Sequence, residues 1–334
     1  NYSIYDSSLV LAMNFNNNSA IGETSSISVD ISKYGNNGTI YGAIWNSSGR
    51  FGGALKFNGD GNYITLSKTT GQLGLIGNPS FTIATWVNNH NPTGSNNVYN
   101  YYDTYVGWGN QDIGGKSIVL GMGWDDGYIL STPYRDCILT NTVTQNKWSY
   151  LVGVYNASNS QAKLYLDGNL IQTFNNFGPL SLEDTAVLIG KANYAIWGYT
   201  NTTFDELRIY NRSLSAEEIQ TMYQSEFSKH NSTQYRFFAN MTDLSFGNYT
   251  YYAWANDTTG LSGQSEERDL IYAPVGLNFV SPTPDDGSTI TTNRTQINAT
   301  IDLFNSSTFL DTFRFNWNGI NYSIYDDSLV LALN

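Results

Sequence analysis

Cysteine is almost absent from this sequence of 334 residues, which contains only Cys137. No disulfide can form within the chain, so its sulfur content gives no evidence for secretion. Basic residues are few as well: 16 Lys and Arg stand against 28 Asp and Glu, and the net charge is −12. Nucleic acids and anionic membrane surfaces attract basic patches, so we expect neither partner, whereas cations such as Ca²⁺ are favoured.

Long apolar runs and common catalytic motifs are also missing. We find no signal peptide and no apolar run of about 18 residues, so we expect no membrane insertion in this segment and place any signal or anchor outside it. His90 and His230 are the only histidines and lie far apart. A glucanase-like E-x-D-x-E pattern, a nucleophile elbow and a P-loop do not occur.

The acidic pairs suggest no catalytic arrangement. Asp205 and Glu206 are adjacent on a predicted strand, so their side chains should point to opposite faces of a sheet. Cys137 is expected to be a packed or semi-exposed thiol and not a nucleophile. The other acidic pairs lie in a predicted helix or in turns: Glu217–Glu218, Glu266–Glu267 and Asp285–Asp286. We therefore predict that the protein is not an enzyme.

Short alternating apolar segments dominate the rest of the chain and indicate β-strands. Apolar residues make up 40% of the sequence and charged residues only 13%, which suits packed β-rich modules. Asp167-Gly168 separates two such segments and predicts a tight hairpin. Predicted strands of the first part lie at 54–66, 81–87, 150–155, 163–174 and 204–210.

One helix is predicted near 215–226. Ser215 can cap it, and Glu218 three residues later completes a capping box. Leu214 and Ile219 occupy the positions of a hydrophobic staple. After the helix, further strands are predicted at 234–241, 248–256 and 265–272, and a new module begins after Pro274.

The two ends of the chain carry nearly the same sequence. Residues 1–14 read NYSIYDSSLVLAMN and residues 321–334 read NYSIYDDSLVLALN, so twelve of fourteen positions are identical. The differences are Ser7 against Asp327 and Met13 against Leu333. We interpret this as a tandem array with a period of 320 residues; the alternative is an internal duplication of one strand.

Several segments together resemble the laminin-G-like, concanavalin A-like jelly roll of microbial surface proteins. They are DSSLVLAMNF, DISKYGNNGTIYG, GRFGGALKFNGDGNYITL, SFTIATWV, KWSYLVGVYN, KLYLDGNLI, VLIGK and FDELRIYNRSLSAEEIQTMY. The resemblance covers about residues 6–226. It implies an all-β fold in which two antiparallel sheets pack face to face, with the one short helix near 215–226.

The remaining segments resemble an immunoglobulin-like β-sandwich that the jelly roll interrupts. The implied boundaries are 1–5 for the last strand of a first half, 6–228 for the jelly roll, 229–273 for a second half, 274–326 for the next first half and 327–334 for the next jelly roll. The two halves either belong to successive copies or fold together as a permuted sandwich. A half-sandwich exposes strand edges and an apolar face, so we expect hydrophobic surface beyond residue 228.

The resemblance also implies a Ca²⁺ site. In the family, an Asp and an Asn of the DxS…GNxG segment and the Asp that opens the FDE strand hold the ion; these positions are Asp30, Asn36 and Asp205. Oxygen donors of this kind suit a hard cation. Lys33 and Tyr34 depart from the family pattern, and the alternative is that Asp30 and Asn36 only shape turns.

Fifteen Asn-x-Ser/Thr acceptors predict N-linked glycans. No acceptor lies between residues 46 and 156, so this stretch, rich in aromatic residues, is a candidate interface or ligand contact; several of its rings could instead fill the core. Its candidate contacts are Tyr99, Tyr101, Tyr102, Trp108, Trp124 and Tyr128. The acceptors are Asn1, Asn17, Asn37, Asn46, Asn156, Asn201, Asn211, Asn231, Asn240, Asn248, Asn256, Asn293, Asn298, Asn305 and Asn321.

These patterns together predict a structural repeat of an extracellular, glycosylated surface filament, sheath or adhesin from a microbe, with an archaeal source favoured. Its partners would be adjoining copies, assembled by β-strand complementation. The alternative is a carbohydrate-binding, lectin-like module whose partners are surface glycans. Fold alone does not choose between them.

Overall fold

The computed structural model describes residues 4–90, 103–110, 114–123, 126–133, 135–139, 142–192, 198–272, 275–303 and 310–325. Strands dominate these residues, and one α-helix, α1 (Ala216–Tyr223), is present among them. The prediction of an all-β fold with one short helix is therefore confirmed. The chain divides into two compact units, Asn1–Asn240 and Met241–Asn334; the domain boundaries expected from the sequence remain a prediction.

The first unit contains strands β1 to β18. In chain order they are β1 (Leu9–Met13), β2 (Ile27–Ser28), β3 (Gly38–Tyr41), β4 (Ile44–Asn46), β5 (Ala54–Lys56), β6 (Tyr63–Thr69), β7 (Phe81–Asn89), β8 (Asp103–Gly109), β9 (Ser117–Met122), β10 (Tyr128–Thr132), β11 (Arg135–Leu139), β12 (Trp148–Asn156), β13 (Gln161–Leu166), β14 (Asn169–Phe174), β15 (Ala186–Ile189), β16 (Thr202–Tyr210), β17 (Ser225–Lys229) and β18 (Tyr235–Ala239). The strand expected at 54–66 is two strands, β5 and β6, separated by a turn that contains Gly59 and Gly61.

Two antiparallel sheets form the sandwich. The first sheet has the order β14-β13-β12-β7-β16-β5-β4, and β1 pairs with the end of β16. The second sheet has the order β11-β10-β9-β8-β15-β6-β3-β2. Asp167 and Gly168, both at positive φ, make the tight turn between β13 and β14 that the sequence predicts.

The main core lies between the two sheets. Alternating side chains of both sheets fill it, among them Leu11 of β1, Ile64 of β6, Trp108 of β8 and Leu207 of β16, and all four are fully buried. Side chains alternate along β6 and β16, so Tyr63 and Arg208, which precede Ile64 and follow Leu207 respectively, point to the outer faces of the sandwich.

Helix α1 and β17 cover the outer face of the first sheet. Ser215 caps α1, and its capping box with Glu218 is present as predicted. Leu214 and Ile219 are buried in a second apolar cluster with Trp86 of β7. No helix in the described parts of the chain combines the length and apolar content needed to cross a membrane.

The second unit consists of paired strands, and its described residues form no apolar core of their own. Its strands are β19 (Gly247–Tyr251), β20 (Trp254–Asn256), β21 (Ser262–Gln264), β22 (Arg268–Tyr272), β23 (Val275–Val280), β24 (Asn298–Leu303), β25 (Phe313–Trp317) and β26 (Ile320–Tyr325), which pair as β19–β22, β20–β21, β23–β24 and β25–β26. Within its described residues no side chain is buried, and Phe279 is 70% exposed. Isolated two-stranded ribbons are only marginally stable in water, so these strands need additional cover.

Candidate functional site

An aromatic pair marks the outer face of the second sheet. Tyr41 of β3 and Tyr63 of β6 stand directly opposite each other, and their rings stack with centroids 4.5 Å apart and an interplanar angle of 11°. Ile40 and Ile64, the adjacent residues, point into the main core, so strand alternation turns both tyrosines outward. Tyr41 is 44% exposed and Tyr63 is half-buried.

Lys191 and Tyr199 complete this surface, which we call the tyrosine platform: Tyr41, Tyr63, Lys191 and Tyr199. The Lys191 ammonium lies 4.7 Å from the centre of the Tyr63 ring and 5.6 Å from that of Tyr199. The two rings are 6.4 Å apart. A cation over aromatic faces is held by their quadrupoles, so the platform combines flat apolar faces with one positive donor.

A frame of backbone hydrogen bonds holds the platform in place. The amide of Gly59 donates to the Thr200 carbonyl at 3.0 Å, and the Thr200 amide donates to the Gly190 carbonyl at 3.2 Å. The Gly190 amide in turn donates to the Tyr105 carbonyl at 2.8 Å. Lys191 and Tyr199 are each next in sequence to a residue of this frame, so the platform is attached to the sheet rather than to a loose loop.

A buried carboxyl lies behind the frame. Asp103, at the start of β8, is 5% exposed. Burial raises the pKa of its carboxyl to about 7, and a hydrogen bond from the Thr200 side chain lowers that pKa by less. Asp103 thus contacts the residue that follows Tyr199 of the platform.

Replacing Asp103 with asparagine should remove a pH-dependent loss of stability. The folded-state pKa lies above the ordinary value of 3.8, so the folded protein binds this proton more tightly than the unfolded chain does. The wild-type carboxyl therefore disfavours folding increasingly as the pH rises from about 4 to about 7. At pH 8, Asp103→Asn should raise the free energy of unfolding by about 2–4 kcal/mol.

Urea unfolding at pH 4 and pH 8 measures this effect, and the exposed Asp60→Asn variant serves as the control. The stability difference between Asp103→Asn and wild type should shrink at pH 4. An equal difference at both pH values would show that Asp103 does not titrate in this range.

A second buried charged group lies on the outer face of the first sheet. Arg208 and Glu206 form an ion pair at 2.7 Å with 5% and 3% of their side chains exposed. The Asn14 side-chain amide donates to Glu206 and, at 3.0 Å, to the Phe227 carbonyl, which joins β1, β16 and β17. Burial raises the pKa of the Glu206 carboxyl to about 7, while Arg208 opposes this shift.

A β-bulge explains why Asp205 and Glu206 do not alternate as predicted. Trp86 of β7 faces Asp205 and Ala84 faces Arg208, so the interval between them is one residue longer on β16. Glu206 has φ of +50°, and the extra residue leaves both carboxyls away from the main core. The expectation of opposite faces is therefore wrong.

The structure brings two of the three predicted calcium ligands together. The Asn36 backbone N–H donates to Asp30 Oδ2 at 2.7 Å, and the Asp30 carboxylate also accepts from Ala12 and Ser32. Asn36 Oδ1 is buried without a hydrogen-bond partner in the described structure, which fits a cation ligand, whereas the Asp30 oxygens are occupied by donors. Asp205, which lies on β16, accepts a hydrogen bond from the Phe51 backbone N–H at 2.8 Å.

These three residues therefore do not make one open donor set, and calcium binding stays a prediction. No group of three or more His, Cys, Asp or Glu side chains gathers in metal-binding positions within the described ranges.

The glycan acceptors are accessible where the structure describes them. Of the fifteen acceptors, Asn1 and Asn305 lie outside the described residues, and none of the other thirteen is buried. Glycans must point into solvent, so these positions can accept them. Occupancy stays a prediction.

Two of the predicted aromatic contacts are core residues. Trp108 and Tyr128 are fully buried between the sheets, where Trp108 packs edge-on against Phe81 and Tyr128 against Tyr105. Side chains alternate along their strands, and these two point into the main core. The prediction of an interface or ligand contact is therefore corrected for both residues. The other four candidates, Tyr99, Tyr101, Tyr102 and Trp124, lie outside the described residues.

The tyrosine platform was not predicted, although part of its signal is present in the sequence. In GTIYG and GNYITL, each tyrosine sits beside an isoleucine in an alternating strand, which places it on the outer face. The pairing of β3 with β6 and the position of Tyr199 have no comparable signal in the sequence. An exposed aromatic surface with one cation is suited to stacking on a flat ligand that also carries polar groups.

Residues 58–220 match the family model described as the concanavalin A-like lectin/glucanases superfamily. This match and the two-sheet architecture confirm the predicted jelly-roll fold. No curated protein sequence shows significant similarity to the chain. The predicted immunoglobulin-like halves, tandem repetition and archaeal source are not tested by these findings.

Solved structures that are similar to this chain include domain 4 of AbnA, an extracellular GH43 arabinanase from Geobacillus stearothermophilus, in complex with arabinotriose. It is 20% identical with a TM-score of 0.49, and the match covers 65% of this chain and 98% of that one. The sialidase of Trypanosoma rangeli is 19% identical with a TM-score of 0.49, and the match covers 66% of this chain and 33% of the sialidase chain. The binding domain of botulinum neurotoxin serotype G is 14% identical with a TM-score of 0.49, and the match covers 90% of this chain and 73% of the neurotoxin domain.

The family match overturns the prediction that the protein is not an enzyme. The matched family includes glucanases by its description. The lack of sequence motifs excludes particular mechanisms, but the fold family contains enzymes and the exclusion of enzymatic activity does not stand.

Proposed function

We propose that the first unit is a lectin-like module that binds carbohydrate on the tyrosine platform. The observation that carries the proposal is the stacked pair of Tyr41 and Tyr63, partly exposed and joined by the ammonium of Lys191. The family match to lectins and glucanases supports it, because its range includes Tyr63, Lys191 and Tyr199.

The chemistry of the platform suits a sugar ring. Tyr41 and Tyr63 stack face to face, so the apolar C–H face of a pyranose can lie on the side of the Tyr41 ring that is turned away from Tyr63, while its hydroxyl groups remain in water or bind phenol groups at the edge. Lys191 supplies the positive charge, so a sugar that carries a carboxylate gains a charge-assisted hydrogen bond. We therefore expect acidic sugars to bind more tightly than neutral ones.

Tyr63→Ala should weaken glycan binding about tenfold or more, because it removes the ring that contacts both Tyr41 and Lys191. A glycan array followed by calorimetry on the best ligand measures this loss. Tyr252→Ala is the matched control, since Tyr252 is 45% exposed and lies in the second unit. Equal binding by both variants, or no saturable binding by the wild type, would contradict the proposal.

Lys191→Met separates the contributions of charge and stacking. This variant should lose the preference for acidic sugars and keep the binding of neutral ones, because the aromatic faces remain. If Lys191→Met weakens the binding of acidic and neutral sugars to the same extent, the main role of Lys191 is to position the aromatic rings.

An extracellular location and N-linked glycosylation remain part of the proposal. Support comes from the accessible acceptor sites, such as Asn211 and Asn248. The negative net charge and the small fraction of charged residues also fit this setting. The proposal also includes a Ca²⁺ ion bound by this chain, as predicted from the sequence.

A second candidate function is the structural repeat of a surface filament, sheath or adhesin. The repeated sequence at 1–14 and 321–334 favours it, as does the second unit, whose described strands bury no side chain. Copies that supply strands to each other would give such ribbons the cover that they lack. The two functions are compatible, since a repeated chain could display one glycan-binding module per copy.

A further inference from the structure

The first segment of the chain is built deeply into the sandwich. All five residues of β1 are buried, and β1 pairs with β16 from Met13↔Leu207 to Leu9↔Tyr210. Leu11 lies in the main core, whereas Ala12 lies on the opposite side in the cluster beneath α1. This strand therefore connects both apolar clusters of the first unit.

Polar contacts on either side of β1 fix its position. Asp6 forms an ion pair with Arg212 at 3.0 Å, and the Tyr5 hydroxyl donates to the Ile31 carbonyl at 2.5 Å. At the other end, the Asn14 amide reaches the buried Glu206. We call the surface that receives residues 4–14 the β1 groove; it is formed by β16, the turn at 30–36 and β17.

The Ser8 hydroxyl also accepts from Arg212 Nε at 2.8 Å, and the sequence at 321–334 preserves every side chain that makes these contacts. Tyr325, Asp326, Ser328 and Asn334 correspond to Tyr5, Asp6, Ser8 and Asn14, and the apolar run LVLA is identical. The same groove can therefore accept either segment as far as its polar contacts are concerned.

The two differences are compatible with the groove as well. Ser7 is exposed, and only its backbone carbonyl is used, as acceptor for the Tyr34 hydroxyl, so Asp327 could take its place. Met13 is buried, and Leu333 is a hydrophobic replacement of similar volume, which cores tolerate well.

We propose that the β1 groove can exchange its own residues 4–14 for residues 321–334 of another copy of this chain. The inference rests on the second candidate function above and names the strand and the surface that the repeats would use. The contact is head to tail: each copy offers residues 321–334 and receives the same residues of a neighbour. Such an interface does not close on itself and gives linear arrays.

A second observation supports this arrangement. Tyr5 packs against Phe227 and Tyr235 with ring centroids 5.0 and 5.9 Å away. Tyr325 of a donor copy would stand at this position, and it belongs to β26, whose partner β25 carries Trp317, 50% exposed. The β25–β26 hairpin of the donor would then lie beside β18 of the acceptor.

Apolar side chains on both elements need such cover. On β18, Phe237 and Phe238 are 56% and 54% exposed, and Ile320 at the start of β26 is 59% exposed. Burial of these surfaces against each other would stabilise the contact through the hydrophobic effect.

In each copy, residues 1–14 compete for the groove with the advantage of being attached to it. The test therefore weakens the resident strand. Leu11→Asp places a charge in the main core and should expel β1, so that residues 321–334 of another copy bind instead. Light scattering after size exclusion should then show masses at multiples of the chain mass of 37.1 kDa.

The double variant Leu11→Asp/Leu331→Asp is the matched control, because both segments then carry the charge. It should form no such series. A synthetic peptide with the sequence of residues 321–334 should restore its folding and raise its Tm by about 5 °C or more at saturating concentration, whereas a scrambled peptide should not.

Two results would overturn the inference: an identical oligomer series in the single and double variants, or a double variant that the peptide does not stabilise. Neither result bears on glycan binding at the tyrosine platform, which Tyr63→Ala tests separately. Rescue by the peptide also distinguishes an empty groove from a chain that has simply lost the ability to fold.

Discussion

Replacing Glu206 with alanine is expected to lower the free energy of unfolding by about 3–5 kcal/mol at pH 8. The substitution leaves the Arg208 guanidinium buried without its partner, because Arg208 contacts the Glu206 carboxylate at 2.7 Å and its side chain is 5% exposed. It also removes the acceptor of the Asn14 amide, which links β1 to β16. An uncompensated buried charge costs far more than the loss of an exposed ion pair.

Denaturant unfolding of Glu206→Ala and of Glu183→Ala makes this comparison directly. Glu183 pairs with Lys116 at 2.6 Å, but 41% and 33% of these side chains are exposed, so its loss should cost less than about 1 kcal/mol. Glu206→Gln should fall between the two, since it keeps a hydrogen-bond acceptor and removes the charge. Similar losses for Glu206→Ala and Glu183→Ala would mean that water reaches Arg208.

Gly190→Ala is expected to destabilise the first unit by about 2–4 kcal/mol and to weaken glycan binding as well. Gly190 has φ of +81°, a region that L-residues rarely adopt, and an added Cβ would overlap the Phe57 ring. Phe57 is fully buried and packs edge-on against Phe204 at 5.0 Å, so it has little room to move. The strain falls on the residue that precedes Lys191 of the platform.

Gly61→Ala is the control for the backbone conformation alone. Gly61 has φ of +72°, but nothing lies within 4 Å of an added Cβ, so only the conformational cost of about 1–2 kcal/mol applies. Thermal unfolding and calorimetry with the same sugar measure both effects. If the two alanine variants lose the same stability, the close approach of Gly190 to Phe57 has no energetic consequence.

Local features of the fold followed directly from the sequence. The capping box at Ser215 and Glu218 and the Asp167-Gly168 hairpin depend on residues within a few positions of each other, so local chemistry specifies them. The strands alternate clearly because one face packs in the core, as at Ile64 and Tyr63. The resemblance to laminin-G-like jelly rolls implied two antiparallel sheets packed face to face, whereas the order of their strands came from the structure.

The site residues were predicted less well, because their roles depend on pairing and register. Trp108 and Tyr128 belong to a stretch without glycan acceptors, yet their strands direct them into the core. Asp205 and Glu206 share a face because of a bulge that only the pairing with β7 shows. The enzyme exclusion failed for a related reason: motif searches test particular mechanisms, whereas the fold family includes enzymes.

The sequence by itself determined the β-rich fold, the single helix and the near identity of residues 1–14 and 321–334, because alternation, capping and repetition are written in neighbouring residues. Only the tertiary structure decided which tyrosines form a platform and which carboxyls are buried. Tyr41, Tyr63 and Tyr199 are far apart in the chain and meet because β3 pairs with β6 and the frame at Thr200 holds the third ring beside them. The same folding encloses Asp103 and Glu206, and burial, which no local pattern encodes, sets their pKa values.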